Sequence, residues 1–172
     1  MSAKKSKIGI KDIALFGMLG ALMFASKIVM ELLPNIHLIG VFVVAITIVY
    51  RKYALYPIYV FVLISGFFYG FASWWFSYLY IWTILWGMVM LLPKNMSPKV
   101  KPVAYMLILA LHGILYGALY TPIQIIFFGL KVKAIPLWIA SGLGFDLIHS
   151  ISNFVCGSLV IPIARVLKTA RR

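Results

Sequence analysis

The stretch GFDLIHSISNF, residues 144–154, carries an aspartate, a histidine and an asparagine inside a long apolar run. Asp146, His149 and Asn153 are spaced i, i+3 and i+7, so on a helix they fall within an arc of roughly 60°. An ionisable side chain exposed to lipid at membrane depth costs roughly 2.5–3.5 kcal/mol on insertion scales. The stretch therefore predicts a helix whose polar face points into a bundle or a cavity.

The composition of the whole chain favours a lipid environment. Of its 172 residues, 64% are hydrophobic and 11% are charged, whereas soluble domains average about 25% charged residues. The basic N-terminus leads into an apolar run without a small-residue cleavage site, so we expect no signal peptide. The single cysteine, Cys156, permits no internal disulfide, and we interpret it as a small buried hydrophobe. No metal cluster is indicated.

Apolar runs near the roughly 20 residues that a spanning helix needs recur along the chain. They predict an all-α integral membrane protein, with a single domain over residues 1–172. We expect a bundle of six transmembrane helices, the second of them short, over about 12–33, 37–50, 54–72, 74–92, 102–123 and 137–165. The connections on the outer side are then residues 34–37, 72–75 and 128–136.

The basic residues predict the orientation. Thirteen of the 16 Lys and Arg residues fall in alternate gaps between the apolar runs: Lys4, Lys5, Lys7, Lys11, Arg51, Lys52, Lys94, Lys99, Lys101, Arg165, Lys168, Arg171 and Arg172. The opposite side carries Lys131 and Lys133, and Lys27 lies inside the first helix. By the positive-inside rule, both termini are cytoplasmic. Topology, rather than nucleic-acid binding, accounts for the net charge of +13.

Two sets of polar residues are candidates for a binding cavity. Lys27 and Glu31 are spaced i, i+4 and share a helix face, where they either form a local ion pair or point into a cavity. The stripe of Asp146, His149 and Asn153 either lines a cavity or hydrogen-bonds neighbouring helices. An Asp–His pair also occurs in hydrolytic triads, but no nucleophile context accompanies it here, so we predict no catalytic residue.

The fourth helix carries an aromatic stripe at i, i+3/4 spacing, formed by Trp75, Tyr78, Trp82 and Trp86. Such a stripe either packs in a core or stacks on a planar ligand, because ligand pockets are commonly apolar and aromatic with few polar anchors. No phosphate-binding Gly-rich loop with its lysine is present in the sequence. Energy for transport would therefore come from a partner or an ion gradient.

The first helix has small residues at fourfold spacing, Gly17, Ala21 and Ala25. Small residues in this pattern let another helix approach closely, either inside the bundle or in a partner protein.

Together these features resemble the substrate-binding S components of energy-coupling factor (ECF) transporters, which have six helices, cytoplasmic termini and about this length. The first helix resembles the small-xxx-small docking pattern of that family, with Gly17 in place of the first alanine. The last helix resembles a Gly-x-x-x-Asp-x-x-His-x-x-x-Asn-Phe pattern of several vitamin-specific members, followed by a proline and a basic end. The matching residues are Gly142, Asp146, His149, Asn153, Phe154, Pro162 and Arg165.

The resemblance implies a binding protein, not an enzyme, without a cofactor, in the plasma membrane of a prokaryote. It would bind a vitamin or vitamin precursor on the outer side and deliver it by toppling, attached to a transmembrane coupling subunit and two ATPase subunits. Gly17, Ala21 and Ala25 would dock on the coupling subunit. The expected substrate-binding residues are Glu31, Trp75, Tyr78, Trp82, Tyr120, Gln124, Asp146, His149 and Asn153.

The sequence does not identify which vitamin is bound. The aromatic stripe favours a ring, such as the pyrimidine of thiamine or a pyridoxine-like solute, whereas pantothenate or lipoate would make Lys27 the anchor. A second hypothesis is a proton- or ion-coupled secondary transporter with Asp146 and His149 as the relay. Internal symmetry would favour it, but the two halves of the sequence show no convincing repeat.

Overall fold

The computed structural model describes residues 8–33 and 36–170, and within these ranges the chain is helical and contains no β-strand. The α-helices are α1 (Ile10–Met30), α2 (Ile39–Tyr50), α3 (Leu55–Tyr69), α4 (Ser73–Leu91), α5 (Val100–Ile114), α6 (Tyr116–Phe128), α7 (Ile135–Cys156) and α8 (Val160–Ala170). Short 3-10 turns lie at Arg51–Ala54, Val132–Ala134 and Gly157–Leu159.

Five segments of the described chain are long and apolar enough to cross a membrane: Ile10–Met30, Ile39–Tyr69, Ser73–Leu91, Val100–Phe128 and Val132–Ala170. The predicted class is confirmed at this level, because the described chain is all-α and its helices are long and apolar enough to span a membrane. The count of six crossings stays a prediction. Helix α2 has 12 residues, which makes it about 18 Å long against a hydrocarbon core of about 30 Å.

Helix α2 is the centre of the bundle, with 11 of its residues buried. It runs parallel to α4. At its start the His37 ring packs against Trp82, in the middle of α4, and at its end the Trp86 indole N–H donates to the Arg51 carbonyl at 3.0 Å. Helix α2 therefore begins at mid-depth in the bundle and ends at one extremity.

Helix α3 returns in the opposite direction. The Tyr59 hydroxyl donates to the Leu79 carbonyl at 3.0 Å, and the Trp75 indole N–H donates to the Val62 carbonyl at 2.9 Å. These contacts make α3 antiparallel to α4, so the chain reverses between α2 and α3.

The reversal occurs at Arg51, whose φ of 52° and ψ of −120° are unusual for a residue with a side chain. Such a conformation persists where neighbouring contacts fix it. Here its carbonyl accepts from Trp86, and its guanidinium donates to the Met90 carbonyl at 3.3 Å. The aromatic stripe of α4 thus contributes to the turn that sets the direction of α3.

Two of the predicted helices are divided. The fifth, expected over 102–123, is interrupted at Leu115 into α5 and α6, and the sixth, expected over 137–165, is interrupted at Gly157 into α7 and α8. At the first break the chain has Gly113 and Gly117 facing α7, where a Cβ atom would collide with Ser150 or Asp146. The two glycines that flank this break therefore permit the close approach of α7.

The two extremities of the bundle differ in composition. At the basic end, cationic side chains from three of the predicted basic gaps surround one pocket, as the alternation of charge requires: Arg51, Lys94, Lys101, Arg165 and Lys168. At the opposite, aromatic end lie Tyr69, Trp74, Phe76 and Phe127. The predicted basic residues Lys4, Lys5, Lys7, Arg171 and Arg172, and residues 34–35 of the first outer loop, lie outside the described residues.

Candidate functional site

A pocket of about 330 Å³ lies at the aromatic end, between α1, α3, α4 and α6. Its volume falls in the range of roughly 300–1,000 Å³ that is usual for sites binding small molecules. We call it the aromatic pocket, and its lining is formed by Lys27, Glu31, Tyr69, Trp74, Tyr78, Tyr116 and Tyr120. Five aromatic rings and one pair of opposite charges can stack on a planar solute and fix its polar edge.

The charged wall of the aromatic pocket is a local ion pair. The Lys27 ammonium lies 2.7 Å from a Glu31 carboxylate oxygen and 3.9 Å from the centre of the Tyr69 ring. The Tyr69 hydroxyl also donates to the Glu31 carboxylate. Hydrogen bonds from Lys27 and Tyr69 lower the pKa of Glu31, which is therefore ionised at neutral pH. Lys27 and Glu31 therefore do both things that the sequence offered as alternatives: they form a local ion pair, and that pair lines the pocket.

Beneath the aromatic pocket lies a buried group that we call the histidine cluster, formed by His37, His112, His149 and Trp82. It contains all three histidines of the chain. The His37 ring lies 4.6 Å from the His149 ring and 6.0 Å from Trp82, and the His112 ring lies 5.8 Å from Trp82, between ring centroids. Side chains from α4, α5, α7 and the segment before α2 thus converge at one depth.

Each member of the histidine cluster has a buried ring nitrogen without a hydrogen-bond partner among the described residues: Nδ1 of His37, Nδ1 of His112, Nε2 of His149 and Nε1 of Trp82. Buried polar atoms are rarely left unpaired in folded proteins, because each unpaired atom costs about 1–3 kcal/mol. Within the described residues, no group of three His, Cys, Asp or Glu side chains could hold a metal ion. The cluster therefore has free hydrogen-bonding capacity for water or for a polar solute.

Two tyrosines connect the aromatic pocket to the histidine cluster. The Tyr78 ring packs on Trp82 with centroids 5.5 Å apart, and the Tyr116 ring packs on His149 at 4.8 Å. Both tyrosines line the pocket. The two rings therefore lie between the aromatic pocket and the unpaired nitrogens.

His37 stands at the edge of the predicted second helix. A neutral imidazole has one ring nitrogen that donates and one that accepts a hydrogen bond, and Nδ1 of His37 has no partner among the described residues.

The predicted polar stripe of α7 is its buried face, since the buried residues of that helix are Asp146, His149 and Asn153. Most of this stripe bonds the adjacent helices. Both carboxylate oxygens of Asp146 accept the Gly117 N–H at the start of α6, at 3.2 and 3.1 Å. A carboxylate is favourable at that point, because the first N–H groups of a helix lack intrahelical partners.

Farther along α7, the Ser150 hydroxyl donates to the Ala110 carbonyl at 2.9 Å and the Asn153 amide donates to the Leu109 carbonyl at 3.4 Å. With Asp146, these side chains form what we call the α7 seam, defined by Asp146, Ser150 and Asn153. No hydrogen bond joins Asp146 to His149 in the described structure.

The residues expected to bind substrate therefore occupy three places. Those that line the aromatic pocket are Glu31, Tyr78 and Tyr120. Those in the histidine cluster beneath it are Trp82 and His149. Those that bond or pack elsewhere are Trp75, on the Val62 carbonyl, Asp146 and Asn153, in the α7 seam, and Gln124, whose backbone carbonyl accepts the Leu130 N–H at the end of α6.

Several residues of the site are missing from the sequence prediction: Lys27 was an optional anchor, and Tyr69, Trp74, Tyr116, His37 and His112 were not included. His37 belongs to a predicted outer connection, and His112 lies within the predicted fifth helix. The sequence carries one hint, because its three histidines lie in or beside three different apolar runs.

The small residues of α1 divide into two faces. Gly20 packs inside the bundle, where a Cβ atom would lie 2.5 Å from the Val60 side chain. Gly17, Ala21 and Ala25 lie on another face: Ala21 and Ala25 are exposed, and a Cβ atom at Gly17 would meet nothing within 4 Å. The described bundle therefore leaves this second face uncovered.

Comparisons with family models, with curated proteins and with solved structures find no match for this chain.

Proposed function

We propose that this protein is the substrate-specific S component of an ECF importer, which binds a vitamin or vitamin precursor in the aromatic pocket. The observation that carries the proposal is the pairing of that pocket with the histidine cluster below it. A ring-lined space of about 330 Å³ lies directly above four buried polar atoms that have no partner among the described residues. A solute with a planar ring would fill the pocket, and its polar substituents would hydrogen-bond the unpaired atoms.

In this proposal the tyrosines and Trp74 contact the ring, and the Lys27–Glu31 pair selects the charge of the solute. A cationic ring would bind closer to Glu31, and an acidic solute would displace Glu31 from Lys27. Tyr78 and Tyr116 would separate the solute from the neutral imidazoles, which are suited to hydrogen bonding with uncharged ring atoms.

The proposed orientation puts the basic end in the cytoplasm and the aromatic pocket toward the outside of a prokaryotic plasma membrane, with six crossings. Support comes from the collection of five cationic side chains at one end. The exposed Gly17, Ala21 and Ala25 face is the proposed docking surface for the coupling subunit, because small residues allow a partner helix to approach closely.

The test is uptake with and without the partners. The protein is produced in a cell that lacks its own ECF module, alone or with a coupling subunit and two ATPases, and native mass spectrometry first identifies the solute that co-purifies. We expect binding in both strains, and accumulation only with the complete module. Accumulation by the protein alone would reject the proposal and favour the ion-coupled carrier.

The carrier hypothesis receives less support from the described contacts. It requires Asp146 to exchange a proton with His149. Both oxygens of Asp146 instead accept the Gly117 N–H, and Asp146 and His149 have no hydrogen bond to each other.

A further inference from the structure

The basic end contains a second concave site, a pocket of about 430 Å³ between the ends of α2, α4, α5 and α8. We call it the basic pocket, and its charged lining is Arg51, Lys94, Lys101, Arg165 and Lys168. It lies at the opposite extremity from the aromatic pocket and shares no lining residue with it.

No acidic side chain neutralises these cations. The chain has three Asp and Glu residues in all. Asp12 accepts the Gly9 N–H, Glu31 pairs with Lys27, and Asp146 accepts the Gly117 N–H. Five like charges around one cavity repel one another, so an anion bound among them would stabilise the folded bundle.

The helix that borders the pocket adds to the positive potential. Helix α5 begins at Val100, carries Lys101 in its first turn and has no acidic residue there. Helix N-termini favour negative charge, so a lysine at this position is unfavourable unless an anion lies nearby. The charge in this first turn is therefore opposite to the one that helix N-termini usually carry, and it would be favourable beside an anionic ligand.

The remaining walls are apolar, with Val89, Leu92 and Ile161 facing the same cavity. A mixed lining of this kind matches a phosphate group attached to a hydrophobic body. Basic pockets between transmembrane helices on the cytoplasmic side bind acidic lipid headgroups. We propose that the basic pocket binds a phosphate group, and that its source is the headgroup of an acidic phospholipid in the adjacent leaflet. This proposal does not depend on the function proposed for the aromatic pocket.

The experiment is a native mass spectrometry titration of the whole purified protein in neutral detergent. Phosphatidylglycerol is compared with phosphatidylcholine of identical acyl chains. We expect phosphatidylglycerol to bind at least about 10-fold more tightly, because the choline cation offsets the phosphate charge. Equal affinity for the two lipids would overturn the proposal.

Two double variants locate the site. Lys94→Gln/Lys168→Gln removes two exposed cations from the pocket and is expected to weaken phosphatidylglycerol binding about 30-fold. Lys11→Gln/Lys99→Gln removes the same charge from α1 and the start of α5, outside the pocket lining, and should change binding less than about 3-fold. Equal losses in the two variants would mean a diffuse charge effect and would also overturn the proposal.

A titration with inorganic phosphate tests whether the bound phosphate group comes from a lipid headgroup or from solution. If millimolar phosphate raises the melting temperature and displaces phosphatidylglycerol, the pocket takes phosphate from solution. If it does neither while phosphatidylglycerol binds, the occupant is the lipid headgroup. Both results support a phosphate site, and the first would overturn the lipid headgroup as its source. The lipid comparison in the unmodified protein gives an answer even if a variant fails to fold.

Discussion

Asp146 and His149 lie one turn apart on α7 and are equally buried, each 6% exposed, but they differ in whether their polar atoms are hydrogen-bonded. The two carboxylate oxygens of Asp146 share the Gly117 N–H, whereas Nε2 of His149 has no partner among the described residues. A buried polar group that is hydrogen-bonded to a neighbouring helix holds the two helices together. One whose bonds are incomplete costs free energy unless something else binds it. The difference separates a structural contact at Asp146 from a candidate binding surface at His149 on the same helix face. Asn153 combines the two, because its amide N–H donates to the Leu109 carbonyl while its Oδ1 has no partner among the described residues.

The strongest test of this comparison is Asp146→Ala. The change leaves the Gly117 N–H unpaired at the start of α6, and bonds to charged groups contribute about 1.5–3 kcal/mol, so we expect unfolding to become easier by about 2–3 kcal/mol. Thermal unfolding in detergent measures the loss. The control is Asp12→Ala, which removes an exposed carboxylate that accepts the Gly9 N–H and should cost less. Equal losses would show that Asp146 does not hold the α7 seam.

A smaller change in stability is expected for His149→Phe. Replacing a buried ring that has an unpaired nitrogen by an apolar ring of similar shape should alter the free energy of unfolding by less than about 1 kcal/mol. The solute that co-purifies with the unmodified protein should nevertheless be lost, as native mass spectrometry would detect. A protein that keeps its solute but loses stability would place His149 with the seam instead.

The least effect on stability is expected for Glu31→Gln. The Lys27–Glu31 pair is partly exposed, and exposed ion pairs contribute little to stability, so the melting temperature should not change measurably. Affinity for a charged solute should change, upward for an anion and downward for a cation, in an equilibrium binding assay. Lys131→Gln, at the same end but outside the aromatic pocket, is the control and should leave affinity unchanged.

Sequence reasoning went furthest with local patterns. The i, i+3, i+7 spacing identified the buried face of α7, and the alternation of charge anticipated that Arg51, Lys94 and Arg165 gather at one end. The sequence did not predict the interruptions of the fifth and sixth helices. The break at Leu115 lies between Gly113 and Gly117, which α7 approaches closely, and a contact between distant segments leaves no local signal.

The same limit applies to the candidate site. The spacing of Trp75, Tyr78, Trp82 and Trp86 described one helix face, yet the four side chains have different surroundings. Trp75 and Trp86 donate to backbone carbonyls of neighbouring segments, whereas Tyr78 lines the aromatic pocket above Trp82. Periodicity gives the direction of a side chain around its own helix and leaves its partner undetermined.

The sequence by itself determined the class of the protein, because 64% apolar composition and apolar runs of spanning length are properties of the chain alone. It also determined which side chains must avoid lipid. Only the tertiary structure decided which of these are bonded and which are free. His37, His112 and His149 are far apart in sequence and meet because α2 begins at mid-depth beside α4 and α7. That meeting depends on packing across the whole bundle, so the histidine cluster could be seen only in the folded chain.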